Sequence, residues 1–221
     1  IILIMVCIAF TSKTFQNDTF YTIKIGESIM EKGIDMKDHF SIHNLPYTYP
    51  HWLYDIATYK LYQLSGLKGL YHASIVIFII IMLTFYFINL KRNKSSFISL
   101  LFSILTAIML ARFVTTRAQL VTYLLFLIEI GLIEKLLSSG KKRVIIELMI
   151  LNILIANLHA AVWPFYFILM LPYLAEYLIK VISQKIKNKP RLGIFSEKIE
   201  LSTSKNIKYL ILAFLISIPL G

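Results

Sequence analysis

The chain has 221 residues, of which 57% are hydrophobic and only 16% charged, with a formal net charge of +11. That is more apolar than a soluble domain, in which about half the residues are apolar, so a soluble globular enzyme is excluded and an all-α membrane protein is expected. Lys and Arg retained in cytoplasmic loops explain the positive excess without nucleic-acid binding, and the single cysteine, Cys7, excludes an intrachain disulfide.

In chain order, Ile1–Phe10 reads as the end of a first transmembrane helix, because residue 1 is not Met and the chain opens inside an apolar run with no charged n-region before it. Residues 11–69 form a long polar segment in which six lysines are balanced by Asp18, Glu27, Glu31, Asp35, Asp38 and Asp55. Within it Tyr21, Ile25 and Ile29 recur at helical spacing and Gly33 supplies a stop. Leu53, Ile56, Lys60 and Leu64 mark a second amphipathic stretch ended by Gly66, and "HNLPYTYP" between them is a turn-rich connector. Two short helices lying on the membrane surface are expected here. Apolar runs long enough to cross a bilayer follow at 70–90, 97–113, 120–137, 144–158 and 163–181, and residues 209–221 begin another. With the partial spans at either end, about seven crossings are expected, in a chain that is part of a longer protein.

Loop charge gives the orientation. Lys91, Arg92 and Lys94 follow one span, Lys135, Lys141, Lys142 and Arg143 follow another, and Lys185, Lys187, Lys189, Arg191, Lys198 and Lys205 fill the 182–208 segment. These alternate loops are expected to be cytoplasmic. The 11–69 loop, 114–119 and 159–162 then lie outside the plasma membrane, and the fold class is a polytopic transmembrane helix bundle with a long external first loop.

The polar residues that need a reason fall on that external side. Asp18 is a helix cap or loop carboxylate on one view, and a general base at the lip of a membrane cavity on the other. Asp38 faces the same choice. Asp38, His39 and His43, with His51 nearby, are candidate ligands for a divalent cation, although no zinc spacing is present. Arg117, followed by Gln119, is either a snorkelling anchor or a fork onto an anionic group such as phosphate. Asn157 and His159 are costly near a membrane face unless paired or lining a polar cavity. Trp163 suits an interfacial belt, and Tyr47, Tyr49 and Trp52 suit either that belt or a sugar face. Glu129 and Glu147 lie within spans and are expected to serve helix packing. Asp18, Asp38, His51, Asp55, Arg117, Gln119, Asn157 and His159 come from four separate segments yet share one face, which predicts a single polar site above the membrane.

Those residues carry a resemblance. "NDTFYTIKIGESIMEKGIDMKDHFS" resembles the first external loop of bacterial GT-C type membrane glycosyltransferases, of the protein mannosyltransferase-like superfamily. That loop has Asp, then aromatics, then Gly-Glu, a Gly-Ile/Val turn and Asp-x-Phe-Ser. Here the places hold Asp18, Phe20 and Tyr21, Gly26 and Glu27, Gly33 and Ile34, and Asp38, Phe40 and Ser41. "HWLYD" is similar to a Trp-Leu-x-acid element through Trp52, Leu53 and Asp55, "TRAQL" to an Arg-Pro-Gln element and "NLHA" to an Asn-x-His-Gly element. Ala118 stands where Pro is usual, Ala160 where Gly is usual, and Pro50-His51 where His-Glu is usual. The resemblance implies transfer of a hexose or pentose, with inversion, from a polyprenyl-phosphate donor to a glycan or protein acceptor. It makes Asp18 the base, Asp38 its partner or substitute, Arg117 the phosphate clamp and His159 its support. Gln119, Asn157, His51 and Trp52 are further substrate-binding candidates, membrane lipid is a partner and nucleic acid is not.

Two rivals stand beside this expectation. A transporter or permease would put its polar residues near the bilayer midplane, and Pro172 inside one span offers it a kink. A non-catalytic membrane protein could keep the same fold. No G-x-S-x-G, Walker A, H-E-x-x-H or C-x-x-C pattern supports soluble hydrolase or nucleotide chemistry.

Overall fold

A computed structural model of the chain describes residues 1–43, 45–185 and 200–220. Eight α-helices are seen: α1 (Ile2–Phe10), α2 (Asn17–Lys32), α3 (Trp52–Asn93), α4 (Ser96–Leu110), α5 (Ala118–Ser139), α6 (Arg143–Leu158), α7 (Pro164–Lys185) and α8 (Glu200–Ser217). Among the described residues there is no strand, only an isolated antiparallel bridge between Lys37 and Pro46. With their flanking 3-10 turns, three helices among the described residues are long and apolar enough to cross a membrane: Trp52–Asn93, Ser96–Phe113 and Ala160–Ile182. Every apolar run expected as a span lies on a helix, but α5 carries Glu129, Glu134 and Lys135 and α6 has only 16 residues. Pro172 sits inside α7 without ending it. Within the basic 182–208 segment, residues 186–199 lie outside the described residues.

The chain divides into two compact units. The first comprises Ile1–Leu127 and Asn157–Ala160, the second Ile128–Ala156 and Ala161–Gly221.

The first unit holds α1 to α4. Its apolar core joins Leu3 and Cys7 of α1, Phe78, Ile81 and Met82 of α3 and Ala107 of α4, with Val114 and Leu120. The pattern on α4 is the reverse of a soluble helix. Its buried positions are Ser99, Ser103 and Ala107, four residues apart, while Phe97, Leu101, Phe102, Leu105 and Met109 face outward. In water such a helix would turn over. In hydrocarbon, small residues inside let backbones approach and large apolar ones face the lipid at no cost. The two inward serines return their hydroxyl protons to their own helix, Ser99 to the Ser95 carbonyl at 2.8 Å and Ser103 to the Ser99 carbonyl at 2.8 Å.

α2 is amphipathic, with Ile23, Ile25 and Ile29 buried, and Gly33 ends it. Ile25 and Ile29 form a small core with Tyr49, packed by Tyr47, Trp52 and Ile56. The expected second helix is present as the first arm of α3 and ends at Gly66, whose φ of 61° and ψ of −161° belong to glycine alone. The apolar arm begins beyond that residue, so two helices meet at a kink on the boundary that the sequence marks. Between α2 and α3 the chain folds back as a hairpin-like turn, with the Asp38 N–H donating to the Leu45 carbonyl at 3.0 Å and the Tyr47 N–H to the Met36 carbonyl at 2.9 Å.

The second unit buries Ile133, Leu136, Leu148, Ile155, Met170 and Leu210. A polar thread runs through it. The Trp163 indole donates to Asn152 Oδ1 at 2.7 Å, Asn152 Nδ2 donates to the Ser217 carbonyl at 2.9 Å, and the Tyr166 hydroxyl lies 3.1 Å from the Leu148 carbonyl and 3.2 Å from Ser217 Oγ. Trp163, expected only as a belt residue, thus has a defined partner. Glu147 pairs with Lys135 at 2.9 Å, whereas both carboxyl oxygens of Glu129 are buried with no hydrogen-bond partner among the described residues.

α2 meets the first arm of α3 at Gly26. A Cβ there would stand 2.2 Å from the backbone oxygen of Asp55 and 2.7 Å from the Tyr59 Cβ. Rigid backbone cannot step aside, so Gly26→Ala is expected to destabilise the protein by about 1–3 kcal/mol, the usual range for overpacking. Gly131 has nothing within 4 Å of its added Cβ. Gly131→Ala should therefore be neutral or stabilising by up to about 1 kcal/mol, through helix propensity alone. Thermal unfolding of both variants in the same detergent checks this; equal shifts would contradict the close approach.

Candidate functional site

The centre of the first unit's polar face is Arg117. A tight turn presents it: the Arg117 N–H donates to the Thr115 carbonyl at 2.8 Å, and the Leu120 N–H to the Arg117 carbonyl at 3.1 Å, which starts α5. Val114, Thr115 and Thr116 are buried beneath it. Thr116 holds two other helices in place. Its carbonyl accepts from the Thr19 hydroxyl of α2 at 3.1 Å, and its hydroxyl lies 3.0 Å from the Ser74 hydroxyl of α3. The guanidinium thus stands over a junction of α2, α3 and α5.

Asp18 meets Arg117 there. Its Oδ2 accepts from Nη2 of Arg117, while Nη1 donates to Gln16 Oε1 at 3.1 Å. Asp18 lies in the first turn of α2, whose N-cap is Gln16, so it is not the cap of that helix. The pair is partly open to solvent, with side chains 37% and 58% exposed for Arg117 and Asp18. An ion pair so exposed contributes about 0–1 kcal/mol to stability. Its significance lies instead in a cation kept partnered and reachable.

The segment 157–160 closes over the start of α3. The Ala160 N–H donates to the Pro50 carbonyl at 2.7 Å, and the Trp52 indole donates to Asn157 Oδ1 at 2.8 Å. His51, between these two fastenings, places Nδ1 2.7 Å from Oδ1 of Asp55. Asp55 is 1% exposed, and its Oδ2 has no partner of hydrogen-bond geometry, although the Thr22 hydroxyl faces the carboxyl from α2. Gln119 is half-buried in the first turn of α5.

His159 is buried, with Nδ1 3.0 Å from the Thr122 hydroxyl. Thr122 already donates its proton to the Ala118 carbonyl at 3.0 Å, so the imidazole must carry its proton on Nδ1 and leave Nε2 as an acceptor. Burial, with His51 and Arg117 within electrostatic reach, pushes its pKa down to about 4. A neutral acceptor cannot back up a phosphate clamp as a cation.

The remaining candidates serve their own loop. Asp38 Oδ1 accepts the Phe40 N–H at 2.9 Å, a local turn. His39 Nε2 lies 2.6 Å from Asp35 Oδ2, while Tyr49 and the Lys37 N–H donate to Asp35 Oδ1 at 3.1 and 3.2 Å. Desolvation opposes ionisation of Asp35, but these bonds outweigh it and hold its carboxyl below its usual range. Burial and the same carboxylate push the Tyr49 hydroxyl up. The His43 N–H bonds Ser41 Oγ at 3.1 Å. Among the described residues no three His, Cys, Asp or Glu side chains are grouped to hold a metal ion.

Three residues of this face escaped sequence reasoning as site members: Gln16, Thr116 and Thr122. The threonines reach the site only through the turn that carries Arg117; Asp55 was expected on this face, and its spacing of four from His51 on a helix is the signal for their pairing. No family model, no curated protein and no solved structure matches this chain.

Because the folded state depresses the His159 pKa, neutral imidazole stabilises the fold. That stability is fully present above pH 6.5 and is lost as pH falls through about 4. The loss should approach roughly 3 kcal/mol, at about 1.4 kcal/mol per unit. Thermal unfolding between pH 7 and 4 should show this slope, and His159→Gln should flatten it; an unchanged slope in the variant would contradict a buried neutral imidazole.

Proposed function

We propose that the chain belongs to a polytopic plasma-membrane glycosyltransferase, with its first loop external, which moves a sugar from a polyprenyl-phosphate donor to an acceptor hydroxyl. One observation carries this: the Arg117 guanidinium, set on a rigid turn at the end of apolar helices, is held by a partly exposed carboxylate that an incoming anion can displace. A lipid phosphate supplies that anion. Guanidinium forks onto phosphate oxygens and stays charged at any working pH.

The chemistry follows from the groups present. An acceptor oxygen attacks the anomeric carbon, the bond from that carbon to the phosphate oxygen breaks, and its electron pair leaves with the phosphate. Arg117 stabilises the growing charge, so no general acid is required. His159 Nε2 accepts a hydrogen bond from a sugar hydroxyl. Asp18, expected as the base, is placed at the leaving-group end and is the counter-ion of Arg117 until phosphate replaces it. In an inverting displacement the base works on the opposite face of the sugar, with the acceptor between.

One observation favours a transporter. Glu129 is a fully buried carboxyl with no partner on an apolar helix of the second unit, and such residues mark ion or proton paths. Donor chemistry separates the two functions. Full-length protein incubated with undecaprenyl-phosphate-linked hexoses and pentoses, with octyl glycosides as acceptors, is expected to consume donor. Arg117→Ala should lower kcat/KM for the donor by roughly 10²–10³, the loss seen when one donor to a developing anion is removed. Donor consumption indifferent to Arg117 would discard the clamp, and none in the wild type would favour transport.

A further inference from the structure

We propose that His51, oriented by the buried Asp55, is the proton acceptor of the proposed sugar transfer: it takes the proton of the acceptor hydroxyl on Nε2 while Asp55 holds Nδ1. This deepens the glycosyltransferase function proposed above and rests on it.

Three observations converge on the dyad. The first is its fixed position. The residues on either side of His51 are tied to the 157–160 segment, through the Pro50 carbonyl at 2.7 Å and the Trp52 indole at 2.8 Å. As the residue before α3, His51 also accepts the Asp55 N–H on its carbonyl at 2.9 Å. Its imidazole makes no capping bond and is turned along the helix onto Asp55, four residues on.

The second is the carboxylate itself. Asp55 is 1% exposed, so water does not compete for Oδ1. With Asp55 ionised, Nδ1 of His51 carries the proton and Nε2 is left as a lone pair. That nitrogen has no hydrogen bond among the described residues, and the side chain is 24% exposed. A carboxylate behind an imidazole fixes its tautomer and steadies the imidazolium that forms when it accepts a proton.

The third is the comparison with the other basic groups on this face. Asp18 is occupied by Arg117. His159 also exposes a lone pair on Nε2, but it is backed by a hydroxyl and by two groups that oppose its charge. Of His51 and His159, His51 is the one with a carboxylate behind it. The titratable and charged groups around the dyad are His159, which feels both His51 and Arg117, and Tyr47 and Tyr54, which feel Asp55. Burial holds both tyrosines above their ordinary range, so they stay neutral.

The balance of the step is simple. The acceptor O–H bond breaks and its proton goes to Nε2. The oxygen lone pair forms the new bond to the anomeric carbon, and the old carbon–oxygen bond leaves its pair on the phosphate. Asp55 touches neither sugar nor acceptor and is a positioning residue.

The test compares full-length wild type, His51→Gln and Asp55→Asn, with the same undecaprenyl-phosphate sugars and octyl glycoside acceptors, across pH 5 to 9. His51→Gln is expected to lower kcat by about 10²–10⁴ and to abolish the acidic limb of the pH–rate profile. The KM for the donor should stay within a few-fold, which shows that the variant is folded and binds. Asp55→Asn should lower kcat with the donor KM likewise kept, since a misfolded variant would lose both. A His51→Gln enzyme that keeps its kcat and its acidic limb overturns the assignment while leaving the glycosyltransferase function standing. A wild type that consumes no donor overturns both.

Discussion

A guanidinium cannot shed its charge, so wherever the chain places Arg117 an anion must lie beside it. In the absence of any ligand that anion is Asp18, 99 residues earlier in the sequence. The pairing brings the first turn of α2 to the first turn of α5, and the threonines around it, Thr19 and Thr116, complete the join. Much else on this face follows from that fixed charge. It is one of two groups that oppose protonation of His159, and it defines which end of a bound lipid phosphate would leave. A partly exposed ion pair contributes little to folding, so stability does not explain why a costly arginine stands at the end of apolar helices.

The membrane character rests on a different balance. Where water is the solvent, burying large apolar side chains drives packing; where lipid is the solvent, that advantage vanishes and close backbone approach takes over. α4 shows the second regime, with Ser99, Ser103 and Ala107 inward and Phe97 and Met109 outward. The same economy of space recurs at Gly26, where α2 touches the backbone of α3. The polar groups that remain inside are bonded to carbonyls or to one another, as the Trp163, Asn152, Ser217 and Tyr166 thread of the second unit illustrates. Glu129 is the exception, and it is the strongest reason to keep transport in view.

Much of the architecture was legible because its signals are local. Apolar runs became helices, Gly33 ended α2, and Gly66 marked the kink between the two arms of α3. The convergence of Asp18 and Arg117 could be read only through alternation of loop charge, which places both at one face without placing them in contact. Competing local bonds explain the misses. Asp38 looked as suitable as any carboxylate, but a loop aspartate satisfies its own turn first, here through the Phe40 N–H. Asp35 and His39 likewise found each other. Asp55 was expected on the polar face, but only the packing of α2 against α3 reveals it as buried. The neutrality of His159 was beyond sequence altogether, because it depends on how far the fold buries the imidazole and on His51 and Arg117 standing near it.

The most direct measurement is the affinity of purified full-length protein for sugar-free undecaprenyl phosphate, with and without the carboxylate that competes for Arg117. If Asp18 is the resting counter-ion of the clamp, Asp18→Asn frees the guanidinium and the lipid phosphate binds several-fold more tightly than to wild type. Unchanged or weaker binding to the variant would contradict the exchange of carboxylate for phosphate on which the account rests.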